Sequence, residues 1–204
     1  MRTRISTRFL IPVALSTALL SACAIKPAVP ELYDLGPLHA DDSGTARSGL
    51  PPLAVADIKS PMWLDTQTMY FRLSYASNQQ PRPYANSRWV MPPAALFAER
   101  LKSRLAQAGG VVTSTADGAA NTLVLRMEAD DFTQNFTSPE QSNARIAIRA
   151  SLFDGRVLIA QRTFMHQAPA PTADATGGAS AFAMASDAVI ADMTAWLTQL
   201  PLKK

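Results

Sequence analysis

Apolar and polar residues alternate with a period of two along several stretches of the chain, the pattern of strands that bury one face. Leu123, Leu125, Met127 and Ala129 alternate with Arg126, Glu128 and Asp130, which predicts a strand over 121–132. Over 145–153, Ile146, Ile148, Ala150 and Leu152 point one way and Arg145, Arg149 and Ser151 the other. Asp154-Gly155 follows at once and suits a two-residue type I′ turn, so 156–165 returns as the second strand of a hairpin. Met69, Phe71, Leu73 and Tyr75 mark a further strand over 68–75, with shorter ones at 53–58 and 111–113.

A helical period takes over twice. Pro92 and Pro93 open the first helix, where proline is tolerated, and Phe97, Leu101, Leu105 and Ala108 follow until Gly109-Gly110 ends it. Its charged residues Glu99, Arg100, Lys102 and Arg104 read as a solvated face. After a small-residue loop over 169–178, Phe182, Ala185, Val189, Met193, Trp196 and Leu200 form the stripe of a closing helix. Strands, a helix, more strands and a final helix predict an α+β fold: a single two-layer domain, its sheet mainly antiparallel, with two helices packed on one face. A length of 204 residues suits one such core with a leader and a tether.

The N-terminus follows a different logic. Arg2, Arg4 and Arg8 precede an apolar run over 9–20, and Leu20-Ser21-Ala22 lead to Cys23. This is the layout of a secretory signal peptide, and the run is short of the roughly 20 residues that a membrane span needs. Leu20-Ser21-Ala22-Cys23 resembles the bacterial lipobox, in which the cysteine is acylated after cleavage. An ordinary signal peptide followed by a buried cysteine is the alternative, and the position of Cys23 directly after the small residues favours lipidation. A covalent N-acyl and S-diacylglycerol lipid on Cys23 gives firm anchoring because several chains, not one, are buried. By the sorting rules of Gram-negative lipoproteins, Ala24 in place of an aspartate favours the outer membrane, with the body facing the periplasm.

Pro27, Pro30, Pro37, Pro51 and Pro52, with a polar stretch over 40–45, make the next segment read as a tether. Only 32–35 alternates enough to add a short strand at a sheet edge. The organisation expected is therefore a signal peptide over 1–22, the lipidated cysteine and tether over 23–52, and the folded domain over 53–201.

Charge narrows the function. The pI is near 9.2, but Arg2, Arg4 and Arg8 supply three of the 19 basic residues, and the other 16 balance 16 acidic ones. A domain without basic excess lacks the footprint that neutralises phosphates, so nucleic-acid binding is set aside. With Cys23 the single cysteine, no intramolecular disulfide or cysteine metal cluster can form.

Catalytic motifs are missing as well. His39 and His166 are the two histidines, neither beside a nucleophile in sequence, and the chain has no Gly-x-Ser-x-Gly elbow, Walker A loop or Gly-x-Gly-x-x-Gly fingerprint. Asp130-Asp131 would project to opposite faces of a strand and could not close on one cation. No catalytic, cofactor-binding or metal-ligating residue is assigned, and no enzymatic activity or further cofactor is expected. Trp63, Tyr84 and Trp89, in turn-rich sequence, and Phe132 and Phe136, flanking Thr133-Gln134-Asn135 as an apolar tip, are candidates for partner contact. Capping or plugging the helix-sheet seam is the ordinary explanation for such aromatics.

Trp63-Leu64-Asp65, then 70–76, then Tyr84-Ala85-Asn86-Ser87-Arg88-Trp89-Val90-Met91-Pro92-Pro93, resemble the ABC-type transport auxiliary lipoprotein family. The resemblance runs over roughly 33–200. It is most specific in the spacing from the tryptophan-leucine-aspartate to the arginine-tryptophan-proline-proline segment. The family includes the PqiC-like outer-membrane lipoproteins of MCE-type transport systems. The resemblance implies an auxiliary subunit that docks a periplasmic MCE-domain protein at the outer membrane for lipid transport across the envelope. It extends to a homo-oligomeric ring, which no residue of the sequence specifies. A structural or assembly lipoprotein of another outer-membrane complex is the alternative.

Overall fold

A computed structural model describes residues 29–38, 49–118 and 122–201. Its centre is a meander of three long strands. β6 (Leu123–Ser138), β7 (Gln141–Asp154) and β8 (Val157–Pro169) pair antiparallel, with Leu125 opposite Leu152 and Ile148 opposite Phe164. The other edge of β6 is shared end to end by two strands. β2 (Leu53–Val55) lies parallel to its first part and β3 (Thr68–Leu73) parallel to its last, with Val55 beside Leu125 and Phe71 beside Gln134. β5 (Val112–Ser114) extends one branch of this fork; β4 (Ser77–Trp89) and then β1 (Glu31–Tyr33) extend the other. Among the described residues the sheet has eight strands, mixed in direction and antiparallel along its long ladders.

Two helices cover one face. In α1 (Pro93–Gln107), Phe97, Leu101 and Leu105 recur at four-residue spacing and are fully buried. α2 (Ala175–Gln199) packs on β7 and β8 through Phe182, Ala185, Val189 and Met193. Each large apolar side chain buried in this seam contributes about 1.5–3 kcal/mol. The fold is therefore α+β in two layers, as the hydrophobic pattern predicts.

The differences from the pattern have physical causes. β6 does not end at Phe132. A bulge between Ala129 and Asp131 inserts one residue, so the alternation changes phase and Phe132, Gln134 and Phe136 continue the core face. Thr133-Gln134-Asn135 is mid-strand, and the turn comes at Pro139-Glu140. The same bulge sends Asp130 and Asp131 toward one face, where they meet Arg149 at 3.7 Å and Arg145 at 3.2 Å.

β4 is absent from the sequence reading because it is polar over most of its length and contains Pro81 and Pro83. These prolines lie where β4 is the sheet edge, since β1 pairs only with Ser87, Arg88 and Trp89. β1 falls within the stretch read as tether, and Leu35 just after it is buried. The sheet thus reaches back to residue 31, at the place where the tether alternates. In the β7–β8 turn Asp154 pairs with Val157, so Gly155 and Arg156 are the central residues, with φ 56° at Gly155. α2 begins inside the stretch read as a loop, because Asp174 caps it by accepting from the Gly177 N–H at 2.8 Å.

Candidate functional site

Three polar arrangements stand out against the apolar core, and the first is a clamp between the helices. Arg100 is 7% exposed despite its place in a charged stretch of α1. Its Nε and Nη2 donate to the two carboxylate oxygens of Asp187 on α2 at 2.8 and 2.7 Å. Nη1 donates to the carbonyls of Leu35 at 2.9 Å and Gly36 at 3.1 Å. Arg104 adds a contact to Asp187 at 3.3 Å. The expectation that Arg100 belongs to a solvated face is thus corrected: it is the joint between both helices and the segment after β1. Burial pushes the Asp187 carboxyl up, but the hydrogen bonds and charges of Arg100 and Arg104 outweigh it and hold the pKa below the ordinary value.

Above the clamp runs an open groove of about 540 Å³ between the 32–37 segment, Val90 and the first half of α2. Leu32, Val90 and Met184 give it exposed aliphatic surface. Tyr33 Oη bridges its rim, donating to Glu31 at 2.6 Å and lying 3.0 Å from Thr176 Oγ1. Because Arg100 is already engaged by Asp187 and two carbonyls, the groove offers chiefly apolar contact.

The second arrangement is a knot in the core. Gln134, fully buried on β6, donates to Ser142 Oγ at 2.8 Å and to the Asp174 carbonyl at 3.0 Å, and accepts from Tyr84 Oη at 3.0 Å. A buried carboxamide persists only when its groups are paired in this way. Burial, with the nearby Asp174 charge, raises the pKa of Tyr84 well above that of an ordinary tyrosine.

The third lies on the sheet face that no helix covers among the described residues. Arg72, Asp131, Asn135, Asn143, Arg145 and Gln167 line a polar basin of about 470 Å³. Burial raises the pKa of Asp131, partly offset by the Thr133 hydroxyl and by Arg145 and Arg72.

The aromatic candidates fall in different places. Trp89 and Phe132 are 1% and 2% exposed, and core packing accounts for them: Trp89 lies edge-on to Phe182 at 5.4 Å, and Phe132 stacks on Phe182 at 4.6 Å. Phe136 is buried against Phe71 at 5.6 Å. Tyr84 is half-buried in the Gln134 knot. Trp63 is half-buried on the uncovered side, edge-on to Tyr70 at 5.2 Å with the Arg72 guanidinium 5.7 Å over its ring. His166 pairs with Asp192 at 2.7 Å. Cys23 and His39 lie outside the described residues. Among the described residues no three His, Cys, Asp or Glu side chains converge to hold a cation, and no helix is long and apolar enough to cross a membrane. The clamp and the knot had no signal in the sequence beyond an arginine on a helix and a glutamine read as part of a tip past the end of a strand.

Residues 33–194 match the model of a family described as the ABC-type transport auxiliary lipoprotein component. The chain belongs to that family. As a member it is an auxiliary component of an ABC-type transport system. Two solved structures share its fold. One is a Xanthomonas campestris protein of the DUF330 family, 17% identical, with a TM-score of 0.69, covering 81% of this chain and 93% of the other. The second is an uncharacterized protein, 16% identical, with a TM-score of 0.67, covering 83% and 99%. No curated protein matches the sequence. The family match begins at Tyr33, the last residue of β1, and takes in all of α1 and α2 as far as residue 194, so the clamp and most of the groove lie within the shared unit.

Proposed function

We propose that this protein is a lipid-anchored adaptor. It is held on the periplasmic side of the outer membrane by acyl chains on Cys23, and it docks the MCE-domain component of an ABC-type system that moves lipid across the envelope. It has no enzymatic activity of its own in this reading, and its energy comes from the transporter's ATPase. The observation that carries the proposal is the family match over 33–194, together with the Leu20-Ser21-Ala22-Cys23 sequence ahead of it. A tethered body needs an anchor, reach and a rigid docking surface. The sequence before β1 suits the first two needs, and the clamped two-layer fold suits the third.

Affinity purification of the native protein from gently solubilised envelopes is expected to recover an MCE-domain protein. Cys23→Ala is expected to release the chain from the membrane fraction and abolish lipid transport in cells. Full transport by the released form, or purification without any transporter component, overturns the adaptor reading.

A further inference from the structure

The hairpin joining β7 and β8 ends in an apolar tip. Val157, Leu158 and Ile159 are consecutive and are 63%, 50% and 41% exposed. Three exposed aliphatic residues in a row are a liability in water and are expected where they serve a contact. The ladder is irregular at this point: Leu152 pairs with Ala160 and Phe153 with Leu158, which leaves Ile159 as an extra residue. Such a bulge re-aims side chains and interrupts the flat edge that an added strand would need.

The charge nearest the tip is chiefly basic, with Asp57 and Lys59 beside Arg126 and Phe153 in the adjoining pocket. Arg156 sits in the turn. The Arg126 guanidinium lies 4.6 Å over the Phe153 ring, and that of Arg162 lies 5.2 Å over Phe164. Asp154 is the single carboxylate between residues 153 and 162. Glu128, further along β6, is paired with Arg149.

We propose that this tip inserts its aliphatic side chains into the headgroup region of an anionic lipid leaflet. Aliphatic groups flanked by arginines are the chemistry of an interfacial contact. The apolar side chains leave water, while long basic side chains reach back to the headgroup phosphates. Attraction between such arginines and an anionic surface acts over about a Debye length, roughly 10 Å at moderate salt, and so favours the tip over the rest of the body. The contact is too small to hold the chain at a membrane by itself, and it adds to the anchor proposed at Cys23.

The test uses the mature protein as its host cell makes it, carrying Val157→Cys labelled with an environment-sensitive fluorophore. It is mixed with vesicles of phosphatidylethanolamine and phosphatidylglycerol, or of phosphatidylcholine alone. The unsubstituted chain carried through the same labelling reports any signal from Cys23. With anionic vesicles, the emission at position 157 is expected to shift to the blue and to be quenched by nitroxides on the acyl chains. A label at Glu140→Cys, in the turn at the other end of β7, is expected to remain in water. Replacing Arg126, Arg156 and Arg162 together by glutamine is expected to reduce the response several-fold with the circular dichroism unchanged. Equal accessibility of the label to aqueous iodide with and without vesicles overturns the proposal. So does insertion that ignores lipid charge, or shielding that grows with protein concentration in the absence of lipid, which would assign the tip to a second copy of the chain.

Discussion

Gly178 on α2 packs so closely on Gln134 of β6 that a Cβ built on the glycine would lie 2.0 Å from the Gln134 Oε1 atom. Oε1 is the atom that accepts the Tyr84 hydroxyl, so the helix, the central strand and β4 meet at a point with no room for a methyl group. Glycine inside a helix ordinarily costs about 1 kcal/mol relative to alanine. Here the requirement for space reverses that preference.

Gly178→Ala is therefore expected to destabilise the protein by about 1–3 kcal/mol, the usual range for overpacking a core. Gln134 cannot withdraw without breaking its bonds to Ser142 and Asp174. Urea denaturation decides the matter: an unchanged or higher midpoint means that the helix does not sit where the structure has it.

Removing Arg100 should be felt at three places. Arg100→Ala leaves the Leu35 and Gly36 carbonyls without this donor and the Asp187 carboxylate with its longer contact to Arg104 at 3.3 Å. Loss of one member of a buried pair costs about 3–5 kcal/mol. Because Asp187 remains about one-third exposed, solvent screening reduces the expected loss to about 2 kcal/mol. Arg100→Lys keeps the charge and loses the fork, so most of the loss should persist. Amide exchange is expected to speed up in β1, which the clamp pins through the carbonyls that follow it; protection of β1 at the wild-type level would show that the clamp does not hold it.

Acid stability should depend on Asp187 and Asp174. Both carboxyls are held below their ordinary pKa, Asp187 by its arginines against its own burial, and Asp174 chiefly by the Gly177 N–H and the Thr172 hydroxyl. A depressed folded pKa gives stability that is present above about pH 4, the unfolded value, and is lost as pH falls through the folded one. The melting temperature of the parent is expected to exceed that of Asp187→Asn at pH 7, with the gap closing on acidification below pH 4.

Asp131 carries the opposite sign. Its folded pKa is raised, first by burial, so its favourable contribution is full below the unfolded value and is lost as pH rises through the folded one. Asp131→Asn is accordingly expected to melt at a higher temperature relative to the parent at pH 7 than at pH 4. A pH-independent difference between the two would place Asp131 in open solvent.

Trp89 ends β4 and touches both Phe132 and Phe182. Trp89→Ala is expected to cost about 3–5 kcal/mol, as for other large aromatics removed from a core. Thermal unfolding measures it. A loss below 1 kcal/mol would indicate that the ring lies at the surface, free to meet a partner.

What could be read from the sequence was whatever local periodicity encodes. The alternation in β6 and β7 identified the half-buried strands, the Phe97, Leu101 and Leu105 spacing identified α1, and Asp154-Gly155 located the hairpin, because side-chain direction in a strand or helix is fixed by backbone geometry alone. The lipidation proposed at Cys23 rests on a different kind of evidence, the linear order of Leu20-Ser21-Ala22-Cys23, which needs no folding to be read. Tertiary structure decided the rest. A single inserted residue at Asp130-Asp131 changed the face on which Phe132, Gln134 and Phe136 lie, and periodicity cannot register a bulge. β4, with two prolines and no alternation, is a strand only because β3 and β1 pair with it. The role of Arg100 rests on Asp187, 87 residues away, and whether an arginine faces water or a buried carboxylate depends on contacts made only after the helices pack.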